Sequence, residues 1–215
     1  AKKLFEIASY NLPHFVFVNE NNIVELPTIE VFYKNYKDHT LLLLTGDIQP
    51  LDEPSCYEFC DNILDLIEKQ KGKKEIITLD GIPKEKNPKA PRVYCAANSH
   101  KIRKKYSKTY KDNTTYTSIG PIIGVSGLLV GLAGKRKIPA VSILAETYAH
   151  PNYLGVKPAK EILKLLNNKL KLKLNLKELD KEIMNLEEEQ LVIIPTRIKK
   201  LKNKVNTKKS LNYIG

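Results

Sequence analysis

The chain has 215 residues, enough for one domain with a full core, and its 42% hydrophobic and 28% charged content is ordinary for a globular protein. Its net charge of +12 would point to nucleic acid if it were spread over a domain face. Seven basic and no acidic residues lie between Pro195 and Gly215, however, which leaves only +5 on the other 194 residues. Three cysteines without regular spacing exclude a disulfide scaffold and fit a reducing cytoplasm, and AKKLFEIASY lacks the apolar stretch of a signal peptide.

In chain order, Leu4 to Ala8 alternates and predicts a strand. Phe15 to Val18 and Ile23 to Leu26 flank the turn-rich NENN and predict a hairpin. Ile29 to Tyr33 is expected to pair with Thr40 to Thr45. The uniformly apolar Leu41 to Leu44 reads as a strand covered on both faces. Glu53-Pro54 opens a helix with the stripe Cys56, Cys60, Ile63 and Ile67, which stops at Lys71-Gly72. Glu75 to Leu79 predicts a buried strand, residues 80 to 91 a loop and Val93 to Ala97 a further strand. Asn98 or Ser99 would then cap a short basic helix reaching about Ser107. Tyr110 to Thr117 is polar and hairpin-like.

Ile119 to His150 organises the chain. Its first sixteen residues, to Gly134, carry no charge; a basic turn, Lys135 to Lys137, and an apolar run ending on Glu146 follow. This predicts a buried helix, a turn and a buried strand. Gly124, Gly127, Gly131 and Gly134 would line one helix face and admit another backbone closely. A membrane span needs about 20 apolar residues and this run is shorter and holds Pro121, so no membrane is expected. Pro158 to Leu170 predicts a helix with Ala159, Ile162, Leu163, Leu166 and Leu170 inward. Asn175 and Glu178 resemble a capping box for a last helix. The order predicts a single α/β domain with a mixed, largely parallel sheet flanked by helices over residues 1–190. Residues 191–215 would form a flexible basic tail, because a lysine-rich segment with few apolar residues does not bury enough surface to fold alone.

Tests for chemistry fail in turn. Gly124-Val125-Ser126-Gly127 is not a nucleophile elbow, since Leu128 stands where glycine is needed. No phosphate loop ends in Gly-Lys-Ser/Thr, and Ser126 breaks a dinucleotide fingerprint. The histidines are scattered, and Cys56 and Cys60 offer two ligands where zinc needs three or four. Asp47 and Glu146 are the best acid candidates, since each ends an apolar strand, where α/β proteins place ligands, but a helix cap or a pair with a nearby lysine is the favoured reading of both. No catalytic residue, cofactor or metal is expected.

The sequence resembles the proteasome assembly chaperone type 2 family, with archaeal members as the nearest pattern. Thr45, Gly46, Asp47, Gln49 and Pro50 match T-G-D-x-Q-P; Gly124, Ser126, Gly127, Leu128, Leu129, Gly131 and Leu132 match the glycine-rich helix; Ala145-Glu146-Thr147 matches the strand end with alanine for glycine. The resemblance implies a phosphorylase-like α/β fold and a non-enzymatic, cytoplasmic chaperone. Its partners would be the proteasome α-subunit ring and further copies of itself or a paralogue, with no nucleic acid. Asp47, Gln49, Pro50, Gly124, Ser126, Gly127, Gly131 and Glu146 would then be structural or interface residues. The label of an ATP-grasp-like ligase, sometimes attached to the family, is the alternative. Members usually start with a strand and a glycine-rich loop ahead of the strand at Leu4, so the first βα unit is expected to be missing here, leaving an open sheet edge. Related chaperones dock a hydrophobic–Tyr–X tail between α-subunits. Here Leu211, Tyr213, Ile214 and Gly215 would make that contact without the strict motif, since Asn212 precedes the tyrosine.

Overall fold

The first 46 residues form only antiparallel strands, and helices alternate with strands in the rest. The computed structural model describes residues 1–9, 11–107, 120–150, 153–181, 183 and 185. β1 (Lys2–Glu6), β4 (Ile29–Asn35) and β5 (Thr40–Gly46) form a three-stranded antiparallel sheet with β4 in the middle. β2 (Phe17–Val18) and β3 (Val24–Glu25) form a separate hairpin. A second three-stranded sheet has the order β6 (Ile76–Lys84), β8 (Ala140–Tyr148), β7 (Val93–Ala97). Within it β6 runs parallel to β8 and β7 antiparallel to it. The sheet is mixed as expected, but only one described strand pair is parallel, so "largely parallel" does not hold.

This second sheet is the centre of a three-layer core. β8 is buried from Ala140 to Glu146, which is why its sequence is nearly all apolar. On one face, α1 (Glu53–Glu68) and α3 (Val125–Lys135) pack through Phe59, Cys60, Leu64, Leu129 and Ala133. On the other, α2 (His100–Ser107) and α4 (Val156–Leu170) pack through Ile102, Tyr106, Ile162 and Leu165 onto Val141, Ile143 and Ala145. α1 is capped by Asp52, whose carboxylate accepts from Ser55 N at 2.9 Å, with Pro54 in the first turn. Asn175 accepts from Lys177 N at 3.2 Å where helix resumes at residue 177. Among the described residues no helix is long and apolar enough to cross a membrane.

Three expectations need correction. β6 runs on to Lys84, through the stretch read as a loop, because parallel pairing with β8 continues to Lys84 opposite Tyr148 despite Gly81 and Pro83. In α4, Leu165 is buried and Ala159 is exposed, since the helix begins at Val156 and turns its stripe accordingly. β5 is not covered on both faces: it is an edge strand, and Leu42, Leu43 and Leu44 are 46%, 43% and 40% exposed. The expected hairpin at 110–117 and the basic tail lie outside the described residues.

Candidate functional site

The loop leaving β5 reaches three parts of the molecule within four residues. Asp47 Oδ2 accepts from Thr28 N at 2.8 Å and from Thr28 Oγ1 at 3.1 Å, tying the entry of β4 to the exit of β5. Gln49 Oε1 accepts from Val125 N at 3.1 Å, at the first turn of α3. Pro50 is buried, and its carbonyl oxygen accepts the Cys56 thiol at 3.1 Å. The T-G-D-x-Q-P stretch therefore joins the antiparallel sheet to α3 and α1.

The same contacts decide what α3 is able to do. Gly124 precedes the helix with φ +88°, a left-handed conformation that favours glycine, and an added Cβ would lie 2.8 Å from Gln49 Oε1. A helix N-terminus of this kind is a ready anion site. Here the chain's own Gln49 carbonyl takes a first-turn amide. One residue on, Ser126 Oγ donates to Asp80 Oδ2 at 2.6 Å, and Asp80 Oδ1 accepts from Gly81 N at 2.7 Å, anchoring the first turn of α3 on β6. The structure thus brings Gln49, Gly124, Ser126 and Asp80 together. Nothing in the sequence around Asp80 marks it for this contact, whose partner lies 46 residues away.

The four glycines of this stretch do not share one role. A Cβ on Gly127 would fall on the Ile122 carbonyl oxygen and 2.8 Å from Ile122 Cβ, so what approaches there is the chain's own backbone just ahead of the helix, not the backbone of another element as expected. A Cβ on Gly134 would sit 3.3 Å from Asn98 Cβ, while one on Gly131 would meet nothing within 4 Å.

Glu146 belongs to a different cluster. It is 4% exposed and is met by Lys84 at the end of β6, Tyr94 in β7 and Arg92 just before β7. Arg92 Nη2 and Nε donate to Oε1 at 2.7 and 3.0 Å, Tyr94 Oη donates to Oε1 at 3.0 Å, and Arg92 N donates to Oε2 at 3.1 Å. Lys84 Nζ adds an ion pair at 3.2 Å. The Arg92 hydrogen bonds outweigh burial and hold the carboxyl at about 2. Asp47 and Glu146, the two acid candidates, are therefore bound into separate internal networks rather than brought together. Burial pushes the Cys60 thiol up to about 12 and the Cys95 thiol up to about 11, which removes the thiolate needed of a nucleophile. Among the described residues no three His, Cys, Asp or Glu side chains are grouped to hold a metal ion. Leu211, Tyr213, Ile214 and Gly215 lie outside the described residues.

What remains is a framework of joints holding up surfaces, and comparison with known proteins gives that framework a family. The sequence profile of the PAC2 family matches residues 1–191. The chain belongs to the PAC2 family. Among solved structures it is similar to Pyrococcus furiosus PbaB, described as an archaeal proteasome activator. The identity is 26%, 89% of this chain and 82% of that one are covered, and the TM-score is 0.78. The fold is shared with Pyrococcus furiosus PbaA, an archaeal homolog of proteasome-assembly chaperone, at 21% identity, 93% and 78% coverage and a TM-score of 0.68. It is shared also with a Mycobacterium tuberculosis proteasome-assembly chaperone homologue, at 16% identity, 88% and 81% coverage and a TM-score of 0.67. A comparison with curated proteins returns no match. The match to a bacterial protein means that the fold is not confined to archaea.

Proposed function

We propose that this PAC2 family member is a non-enzymatic, cytoplasmic assembly chaperone of the proteasome core, acting on the ring of α-subunits. The observation that carries the reading is the family match over residues 1–191, supported by similarity to a proteasome activator at a TM-score of 0.78. The site chemistry agrees with it. Asp47, Gln49 and Ser126 of the family motifs are engaged in hydrogen bonds within the domain, and the thiols are held protonated by burial. The chain works as an oligomer with itself or with a paralogous chaperone. Its lysine-rich C-terminus, with Leu211, Tyr213, Ile214 and Gly215 at the end, reaches for the ring. Asp47, Gln49, Pro50, Gly124, Ser126, Gly127, Gly131 and Glu146 serve the architecture that presents these surfaces.

Co-purification with α-subunits, followed by negative-stain imaging, tests the reading: a complex of the chain with α-rings is expected. Failure to bind isolated α-subunits at micromolar concentration, or clear micromolar binding of ATP with magnesium by calorimetry, would count against it. Deleting residues 195–215 should lower the affinity for the ring at least about tenfold, a loss of ~1.4 kcal/mol. Unchanged affinity would remove the tail from the mechanism.

A further inference from the structure

The C-terminal tail is not the only concentration of positive charge. β6 starts at Ile76 opposite Ala140, the first residue of β8, and β7 ends at Ala97 opposite Val141. The chain therefore enters two strands of the second sheet and leaves the third at one end. Asn98 lashes two of these turns together, donating to the Ile138 carbonyl oxygen at 2.8 Å and accepting from Ala140 N at 3.1 Å. Lys105 Nζ donates to Glu75 Oε1 at 2.8 Å, which ties α2 to the segment ahead of β6. Lys169 Nζ donates to the Lys105 carbonyl oxygen and brings in the end of α4. Residues 66–75, 97–107, 133–139 and 167–175 thus meet at one pole of the domain. Together they hold fourteen lysines and arginines against Glu68 and Glu75, a net +12. Residues 1–65, by contrast, hold eleven acidic and four basic residues.

Helix capping does not account for this charge. α1, α3 and α4 end here, on Lys69, Arg136 and Lys171, and three helix C-termini amount to roughly −1.5 charges. Nor is the pole neutralised from within. Arg136 meets Asp61, Asp65 and Glu68. Lys71, Lys73, Lys101, Lys135, Lys137 and Lys171 are exposed, and among the described residues no carboxylate lies within ion-pair distance of them. Three lysines even stand where glycine would be easier: Lys137, Lys171 and Lys173 have φ of +59°, +52° and +56°, in the left-handed region. Like charges gathered in this way repel one another, and an anionic partner relieves the repulsion.

The make-up of the pole favours a protein over a nucleic acid. Twelve of the fourteen basic residues are lysines, whereas bidentate phosphate recognition favours arginine, and Arg136 is already held by α1. Tyr106, the only Phe, Tyr or Trp of the four segments, is 0% exposed and donates to Glu75, so no ring is open for a base to stack on. The backbone presents the C-terminal carbonyls of three helices rather than phosphate-holding amides. At the one N-terminus there, that of α2, Ser99 Oγ accepts from Ile102 N at 3.4 Å. We propose that this basic pole docks an acidic protein surface, in a contact separate from the C-terminal tail. The acidic residues 1–65 repel the same surface and so orient it towards the pole. The proposal rests on the proposed function only in taking the α-ring as the protein that carries the acidic surface.

Fluorescence anisotropy of labelled polyglutamate titrated with the full chain tests the site, at about 0.15 M salt, where charges further apart than ~8 Å are screened. Wild type is expected to bind with a Kd below about 100 µM. The pole variant Lys137→Asn/Lys171→Asn/Lys173→Asn should bind at least about tenfold more weakly. Asparagine tolerates the left-handed region, so this variant should melt within about 3 °C of wild type. Lys71→Gln/Lys73→Gln/Lys101→Gln removes the same charge away from those turns and should give the same loss. A tail control, Lys202→Asn/Lys204→Asn/Lys208→Asn, should lose less than about threefold. Equal losses at pole and tail would mean attraction to net charge alone and overturn the site, as would a wild type that does not bind polyglutamate in this range. Binding of an oligothymidylate of equal charge at least about tenfold more tightly would overturn the protein assignment in favour of nucleic acid. Purified α-rings are then titrated with the same variants. Rings that bind wild type and pole variant alike overturn the ring as the partner while the chaperone reading stands. Rings that bind neither, with the polyglutamate result intact, overturn that reading and leave the pole as a site for an acidic protein.

Discussion

Glu146 keeps its charge at a position almost closed to water because every strong donor around it converges on its two oxygens. Its lowered pKa makes it an acid-sensitive contributor to stability. Below the carboxyl value of the unfolded chain, 4.5, the unfolded state takes up a proton that the folded state refuses until about 2. The stabilisation is therefore complete above about pH 5 and lost as pH falls through 2. Glu146→Gln should lower stability at pH 7 by about 2–3 kcal/mol and flatten the pH dependence between 4.5 and 2, read by urea unfolding at a series of pH values. A variant with an unchanged slope would show that the cluster is not what acid attacks. Arg136 gathers Asp61, Asp65 and Glu68 from one face of α1, but these carboxylates are half-exposed and each pair is worth ~1 kcal/mol or less.

At the scale of the element, α3 shows how glycines that look alike in sequence separate in space. Gly127→Ala drives a methyl onto the Ile122 backbone and should destabilise by about 1–3 kcal/mol. Gly131→Ala enters open space in the same helix and should stabilise by up to ~1 kcal/mol through helix propensity. Paired thermal melts of the two variants check this, and equal shifts would refute the packing difference. Gln49→Ala removes the acceptor from Val125 N and should cost about 1 kcal/mol, the usual loss when a helix cap is deleted.

The whole molecule divides into a packed centre and an N-terminal part that leaves apolar surface open. Around β8 both faces are sealed by helices, whereas β5 and the β2–β3 hairpin present leucines, valines and phenylalanines to solvent. This asymmetry is in keeping with the proposed chaperone role. The stability of the sealed part should be indifferent to the C-terminus. Removal of residues 195–215 is expected to leave the melting midpoint within about 2 °C while weakening the proposed α-ring binding. A large drop in the midpoint would mean that the tail packs on the domain.

Local pattern alone determined most of the elements, because each rests on near neighbours. The α1 stripe, the glycine-rich helix before β8 and the Val93–Ala97 strand are readable from spacing, and the motif order at 45–50 and 120–148 places the chain in its family. Tertiary structure decided the rest. The apolar run Leu41–Leu44 reads as a buried strand, yet burial depends on what lies beside it, and here β5 is an edge. Residues 80–84 read as loop, yet continuous pairing with β8 outweighs the weak strand propensity of glycine and proline. Asp47, Gln49 and Glu146 stood out by position in the sequence, while Thr28, Asp80 and Arg92 did not. A hydrogen bond needs both partners, and here they lie 19 to 76 residues apart, at separations that only the folded chain brings together.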